Sequence, residues 1–187
     1  MALRASLPAD ALHSYTDGSS YASERAGSGY VICSPSGLLL HQHSSFLGPV
    51  SNNVAELDAM ASSLRHLTVI LQRSTRKPAR SIALFSDSKY ALNIADGTWK
   101  AKAHLPLVRQ LRSALAFLRT LTTVSLLWVP AHADIYHNDL ADLLAKRGAE
   151  GISSHDALDF PSMTHLRQSA LNPLPADPPH KRQCISL

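Results

Sequence analysis

A chain of 187 residues suits one compact domain with a tail and is short for two, and its 45% hydrophobic and 17% charged content excludes the disordered class. Lys and Arg outnumber Asp and Glu by 18 to 14, a formal charge of +4 with a pI near 9.3, which tilts the expected partner toward a polyanion without naming one. Two cysteines, Cys33 and Cys184, supply neither a disulfide framework nor a Cys/His zinc spacing; Met1 to Asp10 lacks a signal-peptide core and no run reaches membrane-spanning length, so a cytoplasmic or nuclear protein is expected.

His13 to Ser19 reads as a strand ending at Asp17-Gly18, where glycine permits a sharp turn. Gly29 to Cys33 is rich in aromatic and β-branched residues, Ser34-Pro35-Ser36-Gly37 has turn chemistry, and Leu38 to Phe46 resumes the extended pattern, giving an antiparallel meander. The period then changes. Leu57, Met60, Leu64, Leu67 and Leu71 recur at alternating steps of three and four, which predicts a helix over about Ser51 to Arg73. A basic loop with Pro78 runs to Arg80, and Ile82 to Phe85 form a short buried strand that leads into Asp87.

Ser88 to Ala95 reads as a short helix closed by Asp96-Gly97, and Val108, Leu111, Leu115 and Leu118 trace the buried face of a longer one. Val124 to Val129 is the fifth strand, followed by a loop from Pro130. A last helix is expected from His137 or Asn138, with Leu140, Leu143 and Leu144 inward, ending at Arg147-Gly148. Beyond Gly151 the prolines 161, 173, 175, 178 and 179 and the lost periodicity predict a disordered tail, so residues 8–150 are the expected domain and 151–187 the tail. The terminal Cys184-Ile185-Ser186-Leu187 fits a prenylation box only superficially, since Ser186 stands where an aliphatic residue is preferred. The element order implies an α/β fold with a mixed sheet and helices on its faces.

In such a sheet, acids at neighbouring strand ends and on the packed helices converge although distant in sequence. Asp17, Glu56, Asp87 and Asp142 are so placed. Taken singly, each is an ordinary helix-dipole partner or turn residue. Their surroundings change the weighting. Tyr15-Thr16-Asp17-Gly18-Ser19, Asn52-Asn53-Val54-Ala55-Glu56-Leu57, Phe85-Ser86-Asp87-Ser88-Lys89-Tyr90 and Trp128-Val129-Pro130-Ala131-His132, with Asn138 to Asp142 beyond, resemble the motifs of the type 1 ribonuclease H family, in the family's order, across roughly residues 12 to 150.

The resemblance implies a ribonuclease H-like fold, a five-stranded mixed sheet with helices on both faces. It also implies that Asp17, Glu56, Asp87 and Asp142 hold two magnesium ions, with manganese as an alternative, to cut the RNA strand of an RNA/DNA hybrid and leave 5′-phosphate and 3′-hydroxyl ends. His132 stands where the family has a loop histidine that assists proton transfer or product release, and its titration range suits that work. Ser19, Ser20, Asn52 and Asn53 match positions that contact hybrid, as short polar side chains reading the 2′-hydroxyl would. Trp99, Lys100 and Lys102 are expected to grip the DNA strand by stacking and phosphate contact, against a plainer reading as a core-packed ring beside solvated lysines.

The chain departs from the family pattern in places. The segment between Asp87 and the fifth strand lacks the extra basic helix of some members, Ala131 replaces the usual glycine before the loop histidine, and no N-terminal hybrid-binding module is evident. A monomer with no membrane contact is expected. Three other readings compete: a retroelement-derived domain that partners a reverse transcriptase, a catalytically silent hybrid-binding domain, and an integrase or junction nuclease. Retention of four mutually repelling carboxylates argues against the silent domain, and the His132 to Asp142 motif against the junction nuclease.

Overall fold

The computed structural model describes residues 8–22, 24–73, 81–131 and 133–152. The expected tail from residue 153 onward, the loop over 74–80 and His132 lie outside the described residues. The meander forms as its pattern predicts: β1 (Leu12–Tyr21), β2 (Arg25–Cys33) and β3 (Leu39–Gly48) pair antiparallel in succession. Helix α1 (Asn52–Arg73) then crosses over to β4 (Ser81–Ser86), which lies parallel to β1. Two further helices, α2 (Lys89–Asp96) and α3 (Leu105–Leu121), lead to β5 (Thr123–Trp128), parallel to β4, and α4 (Tyr136–Ala149) follows. The sheet order is β3-β2-β1-β4-β5.

Helices cover both faces. On one, Leu57, Met60, Leu64 and Leu67 of α1 and Val108, Leu111, Leu115 and Leu118 of α3 bury Ile32, Ile82 and Leu84 of the sheet. On the other, Leu140 and Leu144 of α4 cover Tyr15, Val31 and Phe85, with Leu143 half-buried at the margin. All six residues of β4 are buried, as expected for a central strand between two helical layers. Local chemistry sets the shorter elements: Ser88 caps α2 by accepting from the Ala91 amide at 3.2 Å, and Gly97 ends it with φ of 85°.

Two expectations need correction. The first strand does not turn at Asp17-Gly18; it continues to Tyr21, with Asp17 paired to Gly29 and Gly18 to Ser28. Gly18 serves a different need, because a Cβ there would lie 2.3 Å from the Glu56 amide nitrogen. Its bare backbone lets the start of α1 rest on β1. Likewise Arg147-Gly148 does not end the last helix, which runs to Ala149 and begins at Tyr136. Gly148 instead packs on β3, where a Cβ would meet the Ser45 carbonyl oxygen at 2.5 Å.

The same close approach seats α4 on β2. A Cβ at Gly29 would fall 2.4 Å from the Ala145 nitrogen and 2.5 Å from the Ala141 oxygen, both backbone atoms that cannot step aside. Gly29→Ala is therefore expected to lift α4 and destabilise the fold by roughly 1–3 kcal/mol, the usual cost of overpacking. Thermal denaturation should show a loss of several degrees. An unchanged melting temperature would mean that the helix does not lie this close to the strand.

Candidate active site

The parallel register of β1 and β4 runs to the pair Thr16 and Ser86, so the residues that follow, Asp17 on β1 and Asp87 just past the end of β4, emerge side by side. Glu56, near the start of α1, is brought beside them by the contact over Gly18. Ligand oxygens of Asp17, Glu56 and Asp87 all lie within 4.8 Å of one another. Asp142 arrives from α4 on the opposite face and lines the same cavity of about 320 Å³, together with Asn52, Ser88, Asn138 and Asp139. The Asp87 turn is held from several sides. The Trp128 indole donates to its carbonyl at 3.0 Å, the Ser88 amide donates to the Ser86 hydroxyl at 3.1 Å, and the Lys89 ammonium stands 4.5 Å from the Trp128 ring centre.

Crowding these acids has an electrostatic cost. Burial, then the charges of Asp87 and Asp142, push the Asp17 carboxyl up to about 8, although the Gly18 amide donates to it at 2.9 Å. Burial and the neighbouring Asp17 and Asp87 push Glu56 well above the ordinary carboxylate range. Glu56 Oε2 is buried with no hydrogen-bond partner, and the Asn52 amide reaches Oε1 only at a long 3.5 Å. Lys146 lies 2.7 Å from Asp142; that hydrogen bond and the charges of Asp142 and Asp17 raise its affinity for its proton.

An all-oxygen donor set, mutual repulsion and an orphaned buried carboxylate oxygen fit a hard divalent cation such as magnesium. Asp17, Glu56 and Asp87 are the residues placed to hold one. The Asn138 side-chain oxygen, also buried without a hydrogen-bond partner, offers a further acceptor at the cavity wall.

Of the residues singled out from sequence, the four acids and Asn52 share the cavity. Ser19 and Ser20 are half-buried further along β1 and Asn53 is exposed on α1; none of the three lines it. Trp99, Lys100 and Lys102 are exposed beyond α2, which removes the core-packed reading of the ring, and Arg112 donates to the Trp99 carbonyl at 3.0 Å. His132 falls outside the described residues, while its neighbour Ala131 lines the cavity. Asn138 and Lys146 were missed, although Asn138, Asp142 and Lys146 recur at i, i+4 spacing and so occupy one helix face.

Fold and site together define the class: an α/β domain whose mixed sheet carries a largely buried carboxylate cluster, suited to a cation, where the parallel pairing of its two central strands ends. The chain belongs to the ribonuclease H family, whose model (RNase H) matches residues 9–150. Solved structures agree. RNase H1 from the halophilic archaeon Halobacterium salinarum NRC-1 is 26% identical with a TM-score of 0.60, over 75% of this chain and 98% of that one. LC11-RNase H1 in complex with RNA/DNA hybrid is 23% identical with a TM-score of 0.61, over 75% and 97%. The foamy viral protease-reverse transcriptase in complex with RNA/DNA hybrid shares the fold at 21% identity and a TM-score of 0.61, over 78% of this chain and 21% of that one. No curated protein matches the chain.

Proposed function

We propose that this protein is an endoribonuclease that hydrolyses the RNA strand of RNA/DNA hybrids and leaves 5′-phosphate and 3′-hydroxyl ends. The convergence of Asp17, Glu56 and Asp87 within 4.8 Å, in a chain of the ribonuclease H family, carries this reading. Two divalent cations bound there, magnesium in the first instance, would activate a water for in-line attack and stabilise the departing 3′ oxygen. Asp17 on β1 and Asp87 in the turn that follows β4 form the rigid base of the ligand set. Glu56 closes it from α1 and Asp142 from α4. His132 exchanges a proton or assists product release, and Ser19, Ser20, Asn52 and Asn53 read the 2′-hydroxyl across the shallow minor groove. The protein is proposed to act as a monomer within the cell.

The test is a cleavage assay with and without magnesium. The expected result is metal-dependent cutting of the RNA strand in a hybrid and no cutting of duplex RNA or duplex DNA. Cleavage that ignores magnesium, or that spares the hybrid, overturns the reading. A retroelement-derived domain working with a reverse transcriptase remains a second reading, supported by the shared fold of the foamy viral enzyme.

The exposed Trp99, Lys100 and Lys102 are proposed to grip the DNA strand. Replacing both lysines by Ala should weaken hybrid binding and reduce the log–log salt slope by roughly one unit per lost phosphate contact. Turnover at saturating substrate should change little. A wild-type slope removes the lysines from the interface.

A further inference from the structure

Among the described residues Asp17, Glu56, Asp87, Asp139 and Asp142 line the cavity, and no lysine or arginine does. A cation nevertheless touches one of these acids. The Lys146 ammonium lies 2.7 Å from Asp142 Oδ2, one turn further along α4. The fold keeps it there, because α4 rests on bare backbone of β2: a Cβ at Gly27 or Gly29 would overlap main-chain atoms of Ala145 and Ala149. Gly29 and Gly27 pair in turn with Asp17 and Ser19 of β1. Lys146, the neighbour of Ala145, is thereby held near β1, where its charge acts on Asp17 as well as on Asp142.

We infer that Lys146 sets the affinity of the second cation, by holding Asp142 Oδ2 and opposing an ion that needs the same carboxylate; the inference rests on the two-cation reading proposed above. The two cations do not meet equal sites. Asp17, Glu56 and Asp87 converge without Asp142 and suffice for the first. The second depends on Asp142, whose charge is already divided with an ammonium, and a single and a double positive charge a few ångströms apart also repel each other.

Lys146 can compete and still yield. Its side chain is half-exposed on a flexible stem, so the ammonium swings into water when an ion takes the carboxylate. It acts through Asp142 and touches neither substrate nor reacting atoms, which makes it a positioning residue. The consequence is a threshold: the first ion binds readily and the second only as the metal concentration rises. A neutral side chain at position 146 lowers that threshold, and arginine, which keeps the charge, preserves it.

The experiment is a manganese titration of the full chain beside Lys146→Met and Lys146→Arg, without hybrid, with the free ion followed by electron paramagnetic resonance. Manganese accepts the same oxygen ligands as magnesium. Circular dichroism shows that each variant is folded. In Lys146→Met the second binding step is expected to tighten by about three- to tenfold, the size of the repulsion between such charges under water-like screening. The first step should shift much less, and Lys146→Arg should follow the wild type. Added salt should shrink the difference, since the pair is open to solvent. A second step that is absent from all three proteins, unchanged in Lys146→Met, or shifted no more than the first overturns the inference. A second step weakened in Lys146→Met overturns it too, because Lys146 would then present Asp142 to the ion. In each of these cases an intact first step leaves the carboxylate site standing, whereas no manganese uptake by any of the three overturns that site and the inference together.

Discussion

Asp17→Asn is expected to lower hybrid cleavage by several orders of magnitude while raising the melting temperature of the chelated protein. The side chain keeps its shape and loses the charge that holds a cation between β1 and β4. Metal catalysis contributes several kcal/mol, and each 1.36 kcal/mol is tenfold in rate. The stability gain has a separate cause. In the folded protein the Asp17 carboxyl sits at about 8, against an ordinary value of 3.8, because it is buried beside Asp87 and Asp142. Between those values the folded state holds a proton that the unfolded state has released. Stability of the metal-free protein therefore falls as pH rises from about 4 to about 8.

Asparagine removes the Asp17 share of that slope. Glu56, raised for similar reasons, retains part of it. Melting temperatures in chelator across this range, with cleavage rates in magnesium, check both halves. Near-normal cleavage by Asp17→Asn would sink the metal-ligand assignment. A variant less stable than wild type at pH 8 in chelator would show that repulsion does not govern the site.

Much of this site was legible because the signals were local and periodic. The steps of three and four from Leu57 to Leu71 fixed α1 to within a residue at its start, and the short apolar run before Asp87 placed that acid at the end of a buried strand. The glycines misled. A glycine after an aspartate reads as a turn, and one after a run of helical leucines reads as a cap, yet Gly18 and Gly148 are where another backbone comes within contact distance. That demand is set by tertiary packing and leaves no mark on neighbouring residues.

The link between Asp142 and Lys146 was readable from i, i+4 spacing and was passed over, since such pairs on exposed helices are ordinary.

Asp142→Asn should separate metal uptake from turnover. Asp17, Glu56 and Asp87 converge without it, whereas Asp142 stands on the far helix with its carboxylate 2.7 Å from Lys146. The variant is thus expected to retain magnesium binding at the three-carboxylate group, measured by calorimetry, while cleavage falls by about a thousandfold or more because the set needed for two ions is incomplete. Unfolding is a poor explanation for such a loss. The Asp142 and Lys146 side chains are 26% and 44% exposed, and an i, i+4 pair of that kind contributes only about 0.3–0.5 kcal/mol. Lys146→Met serves as the control for the pair itself: it removes the same ion pair but keeps the fourth carboxylate, so its cleavage should stay well above that of Asp142→Asn. Near-wild-type cleavage by Asp142→Asn would remove Asp142 from the catalytic set. Loss of all magnesium uptake, as expected for Asp17→Asn, would mean instead that the four carboxylates bind as one unit and that the three do not form a site by themselves.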